Sequence, residues 1–275
     1  MPPLSAMTEW PPWAVMWALA VVVFAACKGL TWGFTPAPPA PIGKHLAYLF
    51  LWPGLDARAF LAPRPIPPEQ RAEASEWAFA FAKLAFGVAV VWGVAPLVAD
   101  ECPYAKAWVG MVGVVFVLHF GFFHVLSCAW RSVGVDAKPL MNRPILSQSV
   151  SEFWGKRWNL AFRDITHRFL FRPLASRGRA RLGLVAVFVF SGIVHDLVIS
   201  LPAGGGCGLP TLYFVLQAVG LFAERSQFGK RMGLAVGIRG RLFTAAVVLG
   251  PAAGLFHPWF AREVVVPFLD AIGAG

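Results

Sequence analysis

Charge is scarce in this chain. Asp, Glu, Lys and Arg make up 14% of its 275 residues, where a soluble globular domain carries about a quarter. No polar stretch outside the loops is long enough to form a soluble domain, so a single membrane-embedded domain over 1–275 is expected. Acidic residues are rarer still, 14 against 24 basic ones. The four cysteines, Cys27, Cys102, Cys128 and Cys207, stand singly. Without C-x-x-C spacing they offer no metal cage, and no zinc signature occurs elsewhere, so no metal is expected. Internal repeats are absent, and low complexity is confined to the Pro-rich connectors Thr35–Pro41 and Pro63–Pro68. What fills the chain instead is apolar: 57% hydrophobic residues, 12 Trp, 24 Phe and a mean hydropathy of +0.63. That balance specifies bilayer rather than water as solvent.

The formal charge of +10 is a matter of topology. Eleven of the 24 cations fall between Arg131 and Arg181, against Asp136, Glu152 and Asp164. A second group is Arg225, Lys230, Arg231, Arg239 and Arg241. Both flank apolar spans, where basic residues mark the cytoplasmic side, so nucleic acid is not an implied partner. Apolar helices are predicted near Trp13–Phe34, Trp77–Ala99, Ala107–Trp130, Leu182–Leu201, Pro210–Ala223 and Leu242–Phe256. Leu46–Leu61, broken by Pro53-Gly54, and the short Val264–Ile272 read as re-entrant or interfacial. The expected class is all-α and polytopic, with about seven to eight membrane helices and one amphipathic interfacial or re-entrant helix. Asp100 and Glu101 place the short 100–106 turn outside, and Glu9 puts the N-terminus there too. No cleavable signal peptide is evident, because the first apolar stretch lacks a basic leader. Cys102 and Cys207 fall in outer loops, where two free thiols or a disulfide both remain open.

Two tracts carry chemistry. The first, Ser151–Asn159, follows a Ser149-x-x-Glu152 capping box that starts a helix. Wound as one helix, Trp154, Trp158, Ile165 and Phe169 line one face, and Lys156, Asn159, Arg163 and His167 the other. Such a helix either floats at the interface on anionic lipid or presents its cations to an anionic substrate from the cytoplasm. The second tract, Ser191-Gly-Ile-Val-His-Asp196, sets an ionisable pair within a span. His195 lies roughly 21 Å from Arg181 along a helix at ~1.5 Å per residue, beyond the midplane of a ~30 Å core. Ionisable groups at that depth are functional candidates by default. Ser191 and Gly192 share its face and either leave room beside the imidazole or serve close helix packing. His124, in the run Phe120-Gly-Phe-Phe-His124, reads as cavity-lining or as hydrogen-bonded packing. His119 and His124, five apart, do not share one face as an i, i+4 ligand pair would.

In order, His119-Phe-Gly-Phe-Phe-His124, Trp130-Arg131-Ser-Val-Gly134, Arg143-Pro144, Phe153-Trp-Gly-Lys-Arg-Trp-Asn159, Phe171-Arg-Pro173 and Ser191-Gly-Ile-Val-His195 resemble the wax synthase branch of the membrane-bound O-acyltransferases. The resemblance covers about residues 115–200, and the Phe153–Asn159 element is its most specific part. It implies that Asn159 and His195 are the two signature polar residues. Asp196 departs from the glutamate common in that branch but keeps the charge. The implied reaction moves a long-chain acyl group from acyl-CoA, as co-substrate, to a hydroxyl, with a fatty alcohol as one candidate acceptor and no cofactor.

On this reading His195 is the general base, and Asn159 holds the thioester carbonyl or orients the donor. Lys156, Arg157 and Arg163 steer the phosphates of coenzyme A. Trp154, Trp158, Ser191, Asp196 and His124 complete the expected substrate-binding set. A non-enzymatic proton-coupled transporter using His195-Asp196 as a relay is the alternative. The expected location is a multi-pass position in a bacterial cytoplasmic membrane, in contact with lipid. One tension stands: Asn159 is placed at the cytoplasmic surface and His195 deep in the membrane, so they share a site only if the basic segment dips inward.

Overall fold

The computed structural model describes residues 10–36 and 39–275. Glu9 and the middle of the Thr35–Pro41 connector lie outside the described residues. Every regular element among those described is helical. Five helices are long and apolar enough to cross a bilayer: α1 (Pro12–Gly33), α2 (Pro68–Leu97), α3 (Pro103–Ser132), α4 (Ala180–Ala203) and, after a shorter helix, Gly237–Leu255. The shorter one is α5 (Leu209–Arg225), 17 residues long. Gly237–Leu255 is α6. Proline stands in the first turn of α1, α3 and α5, where its missing N–H costs nothing. The outer surface suits lipid: Val22 is 64% exposed, Leu97 81% and Leu249 69%. In water such a surface would be an aggregation hazard.

The predicted re-entrant segment forms as Ile42–Leu51, a break, and Ala57–Phe60. A break inside an apolar region strands carbonyls, and a buried cation from α1 meets them. Lys28, 2% exposed, donates to Trp52 O at 2.7 Å and to Gly54 O. Its ammonium also lies 3.5 Å from the Tyr48 ring centre.

Glycine sets two helix contacts. A Cβ at Gly87 of α2 would strike the Val117 backbone of α3, and one at Gly192 of α4 would strike Thr211 of α5. Both pairs therefore approach backbone to backbone, as small residues permit in lipid. Two apolar cores result. One gathers α5 and 258–271 with Phe188 and Trp154; the other gathers 42–61 with Ala161 and Ile165. The basic tract spans the two.

Cys102 and Cys207 are both exposed and free.

Candidate active site

The single amphipathic helix expected over 151–171 does not form. Ser149 caps a short helix as predicted, accepting from Glu152 N at 3.0 Å. The Glu152 carboxylate accepts from Gln148 N at 2.7 Å, and that N–H, with Arg157, holds its pKa below the usual carboxylate value against the opposing effect of burial. A π turn follows over Phe153–Arg157, Trp158 is extended, and Asn159 is left-handed at φ 41° and ψ 63°. A second helix then runs Leu160–Thr166. The helical-wheel faces are thus broken at 158–159. Asparagine tolerates the left-handed region because its short amide bonds locally. Here Asn159 Oδ1 accepts from Phe162 N at 3.2 Å and caps the second helix.

That cap has a chemical consequence. With Oδ1 turned to the helix, the Asn159 amide NH2 has no protein partner among the described residues and remains a free donor. The two tryptophans part at the break. Trp154 enters the core against Phe188 and Phe214, at 6.0 and 5.6 Å between ring centres, and donates to Gln217 Oε1 at 3.3 Å. Trp158 stacks on Phe153 at 5.5 Å and meets Phe120 at 6.0 Å.

His195 closes the α-helical part of α4, and a π turn begins at the next residue. Such bulges are frequent at functional sites. Its Nδ1–H donates to Ser191 O at 2.6 Å, which fixes the tautomer and leaves Nε2 as a bare acceptor. Nε2 has no protein partner among the described residues, and the ring, half-buried, lies 4.6 Å from the Phe214 ring. Ser191 contributes its carbonyl; its hydroxyl, 5% exposed, donates to Val187 O at 2.8 Å. Ser191 thus orients the imidazole through its backbone.

Asp196 points away from His195. Its Oδ1 accepts from Gly208 N at 2.7 Å and Ser200 Oγ at 2.9 Å. Its Oδ2 accepts from Thr211 N at 3.1 Å and Thr211 Oγ1 at 2.5 Å. A carboxylate on α4 thus caps the N-terminus of α5, where the helix dipole and free N–H groups favour negative charge. At the other end of α5, Glu224 accepts from Val150 N at 2.7 Å, from Ser151 N at 2.9 Å and from Ser151 Oγ. Helix α5 is a strut clamped to His195's helix at one end and to the Trp-rich tract at the other. Phe214 and Gln217 sit between the clamps and touch His195 and Trp154. Of these, only Gln217 and Glu224 gave a signal in the sequence, as polar residues within and at the end of an apolar span.

The expected cationic face is largely engaged by protein. Arg157 pairs with Glu152 at 2.6 Å and donates to Asn142 O at 3.3 Å. Arg163 lies 2.9 Å from the neighbouring Asp164. Of Lys156, Arg157 and Arg163, only Lys156 is exposed and without an ion-pair partner among the described residues. His124, 8% exposed, is engaged by protein as well. Nε2 bonds Glu76 at 2.9 Å and Nδ1 receives Lys83 at 2.7 Å, while Arg131 also pairs with Glu76. Glu76, His124 and Cys128 bring ligand atoms within 4.8 Å of one another. The two flanking cations suit an ion-pair network between α2 and α3 rather than a metal.

Asn159 and His195 are not in hydrogen-bond contact; a run of rings joins their surroundings, from Trp158 through Phe153, Trp154 and Phe214 to the imidazole. A free amide donor and a bare imidazole nitrogen thus stand at the two ends of one aromatic wall. The profile of the Membrane bound O-acyl transferase family matches residues 137–216, which contain both. The chain is also 25% identical over 253 residues to the probable long-chain-alcohol O-fatty-acyltransferase 9 of Arabidopsis thaliana, covering 87% of this chain and 73% of that one. To the long-chain-alcohol O-fatty-acyltransferase of Simmondsia chinensis it is 28% identical over 174 residues, 56% of this chain and 49% of that one. Over residues 137–216 the chain is thus similar to the membrane-bound O-acyltransferase family, and over most of its length to an acyltransferase of this kind. These relatives are of the wax synthase-like branch, and the class they support is acyltransferase. The chain spans about three quarters of the first relative's length and about half of the second's. Both relatives are plant proteins, so the expected bacterial membrane draws no support from them.

Proposed function

We propose that this protein transfers a long-chain acyl group from acyl-CoA to the hydroxyl of a lipophilic acceptor, a fatty alcohol first among them. The observation that carries the reading is the Nδ1–H bond of His195 to Ser191 O, because it leaves Nε2 free to receive a proton. The hydroxyl proton passes to Nε2 as the oxygen attacks the thioester carbonyl. Negative charge then grows on the carbonyl oxygen, and the free NH2 of Asn159 is suited to meet it. The C–S bond breaks, the thiolate takes the proton back from Nε2, and ester and free coenzyme A leave. No cofactor enters this sequence.

The transporter reading required His195 and Asp196 to act as one relay. All of the hydrogen bonds that Asp196 accepts come from Gly208, Ser200 and Thr211, so the geometry favours acyl transfer. Lys156 and the segment around it are the proposed approach for the donor's phosphates, Arg157 holding that segment in place and Arg163, paired only with its chain neighbour, adding charge to the same tract. The membrane domain is read as one unit, in which α5, 42–60 and 258–271 join the five long helices to make eight embedded elements. The test is a panel of hydroxyl acceptors offered with labelled long-chain acyl-CoA to purified protein. Ester formation with fatty alcohols supports the reading, and hydrolysis or inertness with every acceptor overturns it.

A further inference from the structure

His119 is the one histidine deep in a span for which the structure provides no hydrogen bond. Its Nδ1 is sealed from the surface and unpartnered, and its Nε2, not sealed, has no protein partner among the described residues. A polar group stranded in hydrocarbon is costly, so it persists where something outside the apo protein meets it. It lies on the π turn Phe116–Phe122 of α3. Val117 and Gly121 of that turn pack against Gly87 and Leu84 of α2, and His119, midway between them in sequence, faces away from α2. The next residue, Phe120, meets Trp158, which immediately precedes Asn159. Depth agrees as well. His119 stands 13 residues before Ser132 and His195 14 after Arg181, so both lie about 20 Å from the basic ends of their helices at ~1.5 Å per residue.

We infer that His119 is a donor-binding residue that hydrogen-bonds the carbonyl of the acyl thioester from the Asn159 side of the site. This rests on the acyl-transfer reading above. A sealed, partnerless Nδ1 is better tolerated as a bare nitrogen than as an orphaned N–H, since orphaned donors are the rarer of the two in buried structure. The proton then sits on Nε2, the nitrogen that is not sealed. His195 is arranged the other way, with Nδ1–H bonded and Nε2 bare. One imidazole thus presents an N–H, suited to a carbonyl, and the other a lone pair, suited to a hydroxyl proton.

The experiment compares His119→Phe and His119→Gln with the wild type for melting temperature in detergent and for the KM of each substrate. Phe keeps the shape and removes the stranded polar atoms, so the expected melting temperature is unchanged or higher. The expected KM for acyl-CoA rises about tenfold, the worth of one hydrogen bond, with the KM for the alcohol unchanged and Gln recovering part of the loss. Binding of a non-transferable thioether analogue of the donor should weaken by the same factor. A lower melting temperature with donor KM unchanged in both variants would make His119 structural. A rise confined to the alcohol KM would put it on the wrong side of the site. A wild type that transfers nothing to any acceptor is a separate result, against acyl transfer itself.

Discussion

Asp196 and Thr211 are joined twice, through the Thr211 N–H at 3.1 Å and its hydroxyl at 2.5 Å. The acid beside the proposed base is therefore a clamp between α4 and α5, and α5 in turn presses Phe214 onto His195. Asp196→Ala removes the acceptor for two backbone N–H groups at a helix start. We predict a loss of at least about 2 kcal/mol in unfolding free energy, with Asp196→Asn intermediate. Thermal unfolding in detergent measures it. Normal stability with abolished turnover would return Asp196 to a proton-transfer role.

Asn159 caps a helix through its Oδ1 and, in the proposed reaction, donates its NH2 to the carbonyl oxygen. Asn159→Gly keeps the left-handed conformation at no steric cost and loses only a few tenths of a kcal/mol of capping. The amide donor goes with it, so turnover should fall about 10²–10³-fold while the protein stays folded. Near-wild-type turnover in Asn159→Gly would show that Asn159 is needed for its turn alone.

The cations near the tract should separate by role. Lys156→Glu places a negative charge where the donor's phosphates approach, so KM for acyl-CoA should rise, and rise more at low salt, where screening is weaker. Arg157→Glu should instead lower stability, because it removes the partner of Glu152 and the contacts to the 142–143 carbonyls. Steady-state kinetics at two ionic strengths, with melting curves, check both. Equal effects of Lys156→Glu on the KM of donor and acceptor would leave this lysine only a lipid contact.

Topology follows from the basic segments. Residues 131–181 and 225–241 should face the cytoplasm and 100–106 the outside. An impermeant thiol reagent applied to intact cells should label the exposed native Cys102 and spare Ser176→Cys. Labelling of Ser176→Cys from outside would invert the arrangement and place the donor's entry on the wrong face.

The spans and the two signature residues are legible in the sequence because hydrophobic runs and a specific motif are local properties. The break at Trp158-Asn159 is not, since a helical wheel assumes unbroken α-helix and both π turns and a left-handed asparagine violate it. Asp196 reads as half of an ionisable pair because His195 is its neighbour in sequence; its real partners are Ser200 one turn on and Gly208 and Thr211, 12 and 15 residues on at the start of the next helix. Gln217 and Glu224 act on residues 63 to 74 positions away. Such roles arise only from packing. The reach of the basic tract into the membrane is partly answered by Trp154, which buries against α4 and α5.

In the proposed reaction Nε2 of His195 takes the proton of the attacking hydroxyl. The most direct measurement is release of free thiol from acyl-CoA, with ester formed, by purified wild type and His195→Ala in the presence of a long-chain alcohol. The wild type should give thiol and ester in equal amounts and the variant about 10²–10⁴-fold less of both, with unchanged abundance in the membrane. Near-full turnover by His195→Ala would contradict it.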